Sequence, residues 1–299
     1  MNSLSALVKR NCKLFFKDKG MFFTSLITPV ILLVLYATFL ANVFTDTFNS
    51  IFEAAKLPID ENMVKGMVGG ELVSSILAVS CVTVAFCSNM LMVQDKVNGA
   101  RRDLTMAPVK SSTLALSYYL ATVISTLIVC FAAMGICFIY LAITGWYLSF
   151  SDIMLIVLDV IMLVLFGTAL SSIINLFLSS QGQISAVGTI VSSGYGFICG
   201  AYMPLSQFPE ALQTVLCFLP GTYGTSLIRN HSLNGTFRKL EEMNMPAEFI
   251  EELKDGIDCN LYFFENKVSV NVMFVILLVC VVVLIGIYIL LNYLRKKAK

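Results

Sequence analysis

The sequence predicts an all-α polytopic membrane protein with six transmembrane helices and both termini on the inner side. Three observations predict it. Hydrophobic residues make up 58% of the 299 residues and charged residues 13%, whereas a soluble domain carries about 25% charged residues. The charges are also absent from whole blocks, with none in 20–45, 72–94, 111–151, 160–209 or 268–294. Finally, these blocks are continuously apolar rather than alternating, which suits helices of about 20 residues crossing the hydrocarbon and excludes barrel strands.

The elements follow in chain order. Residues 1–20 form an amphipathic helix, with Leu4, Leu7, Val8 and Phe15 on one face and Lys9, Lys13 and Lys17 opposite. Such a helix lies in the membrane interface with its cations near anionic headgroups. A membrane domain over 21–299 comes next, with spans near 21–44, 72–93, 113–143, 153–178, 184–203 and 268–292. The third and fourth spans separate at Gly145, Trp146 and Tyr147, an interface belt, and the fourth and fifth at a turn over 179–183. The first apolar run is longer than a signal-peptide core of about 7–15 residues and no small-residue cleavage site follows it. It reads as a retained helix.

Orientation follows from Lys and Arg. The N-terminal segment, 94–112, 179–183 and the C-terminal tail hold 13 of the 20 basic residues. Five of the other seven lie in the long stretch 204–267, and long loops weigh little in the positive-inside rule. The expected protein is a multi-pass plasma-membrane protein with cytoplasmic termini.

Several chemistries have no support. The nine cysteines are scattered, most of them inside spans where a thiol packs as a small apolar group, and Cys259 alone falls in an outer loop. His231 has no Cys or Asp cluster at ligand spacing and reads as a solvated loop histidine, so no metal is expected. A phosphate-binding loop is missing, and Gly66, Gly69 and Gly70 lack the lysine it would need. The chain is therefore expected to bind no cofactor itself. The formal net charge of +1 is silent about partners, and no nucleic acid is expected.

Three connecting segments stand out. The stretch 95–112 is short and charged and ends near Pro108; charge alone reads it as a basic, topology-setting loop. Residues 204–222 hold Pro204, Pro209 and Pro220 with Glu210 the only charge, and Pro209 suits the start of a short helix. That run is too short to span, so it is re-entrant or interfacial. The outer loop 229–267 is acidic and contains a helix opened by Pro246 and stopped at Gly256; it reads as a solvated cap or as a selector of partners or cargo. Among the spans, the second (Ser80, Thr83, Asn89) and the fifth (Thr189, Ser192, Ser193) are the weakly polar wall candidates for a translocation path. Ordinary helix packing is the plainer reading of each. Gly196 and Gly200 have the small-residue spacing that admits a close neighbouring helix. Asp159 is the one ionisable group within a span, either bonded to a neighbouring helix or part of the path.

The chain resembles the ABC type-2 permeases, membrane subunits of ABC exporters with the type V fold. The resemblance is most specific over Gly200-Ala201-Tyr202-Met203-Pro204 and Phe208-Pro209, continuing to Leu219-Pro220-Gly221-Thr222-Tyr223 and Arg229. It extends to Asp95, Gly99, Leu104, Pro108 and Val109, and to Lys17-Asp18-Lys19 leading to Pro29. Where the family usually has Thr-Leu-Glu after the loop glycine, this chain has Ala100-Arg101-Arg102. The resemblance implies a coupling helix in 95–112 that contacts a cytoplasmic ATPase through Asp95, Gly99, Arg101, Arg102, Asp103, Leu104 and Pro108. It also implies a gate at Pro204, Pro209, Glu210, Pro220 and Tyr223. The implied partners are that ATPase, which would hold ATP and Mg, a second permease half (identical or paralogous) and membrane lipid. The implied function is outward, ATP-driven movement of an amphipathic cargo such as a drug, an antimicrobial peptide or a lipid-linked molecule, with multidrug export as one form. Two alternatives remain: a non-transporting immunity or sensor module, and a secondary carrier. A neighbouring gene for a soluble ATPase would discriminate them.

Overall fold

The computed structural model describes residues 3–264 and 266–297. Residues 1–2 of the interfacial helix and the side chains of the C-terminal inner cations at 295–299 lie outside that description. Helices dominate in the order α1 (Ser3–Lys17), α2 (Lys19–Leu35), a π-helical turn (Tyr36–Leu40), α3 (Ala41–Ala54), α4 (Glu61–Val97), α5 (Ala100–Met106), α6 (Ser111–Thr144) and α7 (Phe150–Phe177). Then come α8 (Gln181–Ile198), a 3-10 turn (Leu205–Gln207), α9 (Glu210–Leu216), α10 (Pro220–Glu242), α11 (Ala247–Gly256), strands β1 (Leu261–Phe263) and β2 (Asn266–Val268), and α12 (Val270–Lys297). The strands pair antiparallel, Leu261 opposite Val268.

The protein is an all-α polytopic membrane protein apart from that hairpin. Among the described residues five helices are long and apolar enough to cross a membrane: Lys19–Ala54, Glu61–Val97, Ser111–Thr144, Phe150–Phe177 and Val270–Leu294. The predicted fifth span is α8, which has 18 residues and is not among these five. Its Ser, Thr and Gly content lowers its hydropathy, and the residues predicted to extend it to 203 turn away after Ile198.

Helix α4 is the centre of the molecule. Its most apolar stretch is 94% buried, against 17–28% for the same measure in α2, α6 and α12, and it packs on α2, α6, α7, α8 and α10. Gly66, Gly69 and Gly70 are packing positions on this helix. A Cβ there would approach Tyr147, Leu141 and Leu233 to 2.5, 2.6 and 2.5 Å. The helix also starts eleven residues before the predicted span, because Glu71, which ended the charge-free block, is buried rather than solvated.

The largest departure from expectation is α10. The sequence reads residues 229–242 as part of an outer loop, yet they continue a 23-residue helix packed on α4, α7 and α12. Several of its polar residues bond other helices. Arg229 bonds Glu71 of α4, His231 bonds Asp159 of α7, and Asn234 and Arg238 bond Asp152 at the start of α7. Three carboxylates near the ends of charge-free blocks thus meet one polar helix. Beyond it, Phe249, Ile250 and Leu253 of α11 pack with Phe48 and Phe52 of α3 and Met63 and Val64 of α4, forming a folded outer layer.

Candidate groove, clamp and coupling helix

Two glycines set the chain directions that build the site. Gly99 has φ +80°, so the chain turns sharply from α4 into α5, and Gly200 at φ +72° ends α8; both values favour a residue without Cβ. Gly196 lies against the Tyr202 ring of the same turn. The pair predicted to admit a neighbouring helix therefore shapes the turn itself.

From Gly200 onward the chain folds back in short pieces. Pro204 precedes the 3-10 turn, Pro209 precedes α9 and Pro220 occupies the first turn of α10. Glu210 is exposed in the first turn of α9. Tyr223 donates to Cys217 O (2.7 Å) and Thr222 to Leu216 O (2.8 Å), closing the corner between α9 and α10. Seven residues of α9 rise only about 10 Å, so the segment does not cross.

A buried ionic clamp fastens this segment. Arg229 Nε donates to Glu71 Oε2 at 3.0 Å, its Nη2 to Gly200 O at 2.9 Å, and its Nη1 lies 3.6 Å from Asp258 Oδ2. Asp258 Oδ2 in turn accepts from Leu205 N at 2.5 Å. Burial pushes the Asp258 carboxyl up and the Arg229 guanidinium opposes that shift. Glu71 is the principal partner, because its contact is a hydrogen bond while the Asp258 contact is longer. The clamp joins α4, the end of α8, the 3-10 turn and the loop after α11.

The open face of the molecule carries a groove of about 930 Å³ between α2 and α8. Thr24, Thr28, Ile31 and Leu35 line one wall, and Ser185, Thr189, Ser192 and Ser193 the other. Met90 and Cys87 of α4 line it too, Tyr202 is at one end, and the only carboxylate on its lining is Asp18. Thr189 and Ser193 donate to carbonyls four residues back, at 2.9 and 2.7 Å. Their hydroxyls are satisfied within the helix, so the wall is weakly polar.

Expectation and structure part at the second span. Ser80, Thr83 and Asn89 do not line the groove: all three are at most 1% exposed, because α4 is enclosed by other helices. Asn89 Nδ2 donates to Ser171 and Ser172 (3.0 and 2.9 Å), and Thr83 donates to Val79 O. The second wall is α2 instead. Asp159 is also away from the groove, 2.5 Å from His231 Nδ1 in the α7–α10 contact. His231 is thus a partly buried partner within a helix rather than a solvated loop residue, with its side chain 13% exposed. The chain-distant pairing of one intramembrane acid with the only histidine was the signal for it.

At the opposite end, α5 has no buried residue; Arg102, Asp103 and Pro108 are exposed, and Met106 is 79% exposed. Leu104 and Val109 pack against a cluster containing Leu7, Phe15 and Tyr118. Arg101 is half-buried. Asp95, grouped with these by sequence, turns inward. It accepts from both Arg10 guanidinium nitrogens (2.7 and 3.2 Å) and from Tyr118 Oη (2.5 Å), locking α1 to α4 and α6. Lys96 Nζ donates to the carbonyls of Asn175, Leu176 and Leu178, capping α7. Both charges are therefore used within the chain, and the exposed surface of the segment is α5 itself.

No curated protein matches the sequence. The model of the ABC-2 type transporter family matches residues 2–231, which takes in α1 through α9, the groove, α5 and the first half of α10. That match covers more than half of the chain and carries no nucleotide site of its own. The protein accordingly belongs to the ABC-2 type transporter family, as a membrane-embedded permease.

Proposed function

We propose that the chain is the membrane-spanning half of an ATP-driven exporter, taking an amphipathic cargo into the α2–α8 groove and releasing it past α9. The carrying observation is the groove itself: about 930 Å³, open along one face, lined by aliphatic and hydroxyl side chains, with Ser185, Thr189 and Ser193 bonded within their own helix and one carboxylate at its margin. A volume of this order suits a ligand of drug size or the tail of a larger amphiphile. In this reading α8 is a sixth crossing, both termini are cytoplasmic, and a second half closes the groove across the open face. ATP and Mg sit on a separate ATPase, which docks on α5 around Arg101, Arg102, Asp103 and Leu104. Pro204, Pro209, Glu210, Pro220 and Tyr223 form the gate, held in place by Arg229.

A secondary carrier remains the rival, because Asp159 and His231 form a pair within the helix bundle that a proton could charge or neutralise. The two separate in vesicles holding the permease with its ATPase. Uptake of a fluorescent amphiphile should need ATP and persist when the proton gradient is collapsed. Substituting Ser192→Trp should block uptake while leaving the complex assembled. Uptake driven by a proton gradient without ATP would sink the exporter reading.

A further inference from the structure

We propose a second, separate site: an anionic phospholipid seated between the start of α6 and the end of α12, on the membrane face that carries α1 and α5. A groove of about 350 Å³ lies there, distinct from the cargo groove. Its two ends differ in chemistry. Leu116, Ile285 and Ile289 form an apolar body, and Lys110, Ser111 and Ser112 form a polar rim on the α6 side. Asn292 and Tyr293 complete the rim on α12.

The depth of the groove in the membrane follows from the charge pattern. The charge-free block 111–151 begins at the rim and the block 268–294 ends there. The rim is thus at headgroup level and the body within the hydrocarbon. A ligand matching both ends must itself have a polar head and an apolar tail.

Charge decides the kind of head. The lining contains no Asp or Glu. Lys110 is exposed at the rim and forms no ion pair among the described residues. One unpaired cation and two rim hydroxyls without a lining carboxylate complement a phosphate diester of net negative charge, and a basic residue near a membrane surface favours anionic lipid about fivefold. The body is exposed rather than closed, with Ile289 at 62% and Leu116 at 44% exposure, as a wall for an acyl chain should be. The site does not depend on the transport reading or on which side of the membrane faces inward.

The test uses the full chain in nanodiscs with a single reporter. Trp146 is the only tryptophan, so Trp146→Phe with Ile289→Trp places one fluorophore in the groove. A control carries Val282→Trp, at an exposed position of α12 that is not on the groove lining. Brominated phosphatidylglycerol and brominated phosphatidylcholine are compared as quenchers at equal mole fraction. The expected result is preferential quenching of the 289 reporter by the anionic lipid and equal quenching of the 282 reporter. Adding Lys110→Gln should reduce the preference about fivefold, and Lys110→Arg should retain it. Equal quenching by both lipids at 289, or the same preference at 282, overturns the site. So does loss of the preference on adding inorganic phosphate, which would make the rim a simple anion site.

Discussion

Replacing Arg229 by glutamine tests whether the clamp holds the re-entrant segment. The guanidinium is 3% exposed, and its partners Glu71 and Asp258 are 2% and 6% exposed. Removing it leaves two buried carboxylates facing each other and the Gly200 carbonyl without its donor. Breaking a buried pair by deleting one partner costs about 3–5 kcal/mol, so Arg229→Gln should lose stability within that range in reversible unfolding from mixed micelles. Neutralising the orphaned partner should return part of it. The Arg229→Gln, Glu71→Gln double variant is expected to be more stable than Arg229→Gln alone, with a coupling energy of about 1–3 kcal/mol. The loss should also depend on pH. Burial already pushes the Asp258 carboxyl upward against the pull of Arg229, so without the arginine its folded value rises further above the unfolded one. The folded state then binds more protons, and stability falls as pH rises from the ordinary carboxylate range through the raised value. Arg229→Gln should therefore be relatively stabilised by acid. Unfolding within about 1 kcal/mol of the parent, a flat pH dependence, and no recovery in the double variant would together refute the clamp.

Four further outcomes are expected. Cys259 is 1% exposed and burial pushes its thiol well up, so an impermeant maleimide should leave it unmodified in the native protein. Topology is better read from exposed positions: in intact cells Phe264→Cys should be labelled and Met106→Cys should not, and labelling of Met106→Cys alone would invert the proposed orientation. Reversing Arg101 and Arg102 to glutamate should reduce co-purification of the ATPase with the fold retained, and undiminished association would remove both from the docking surface. Asp95→Asn should act differently, because it loosens α1 rather than the α5 surface. A charge-assisted hydrogen bond contributes about 1.5–3 kcal/mol, and the 30% exposure of Arg10 sets the expectation near the lower value, measured by unfolding with ATPase association unchanged.

Much of the architecture is readable from local composition. Hydrophobic burial is roughly additive along a helix, so the apolar runs, divided at their polar breaks, mark α2, α4, α6, α7 and α12 without reference to any contact. The prolines at 204, 209 and 220 likewise located the short pieces after α8, since proline suits helix starts wherever it occurs. The short helix in 95–112 was implied by the family resemblance rather than by its charges.

What only the tertiary structure decided is where each polar group goes. Glu71 ended a predicted span and Arg229 and His231 were placed in a loop, because a charged residue taken alone belongs in water. Burying it becomes tolerable only with a partner, and those partners lie far along the chain: Arg229 is 158 residues from Glu71 and His231 is 72 from Asp159. The same distance effect moved the groove wall from α4 to α2. Ser80, Thr83 and Asn89 and the hydroxyls of α8 look alike in composition, and enclosure of α4 by the surrounding helices is a property of packing, which no local pattern of residues encodes.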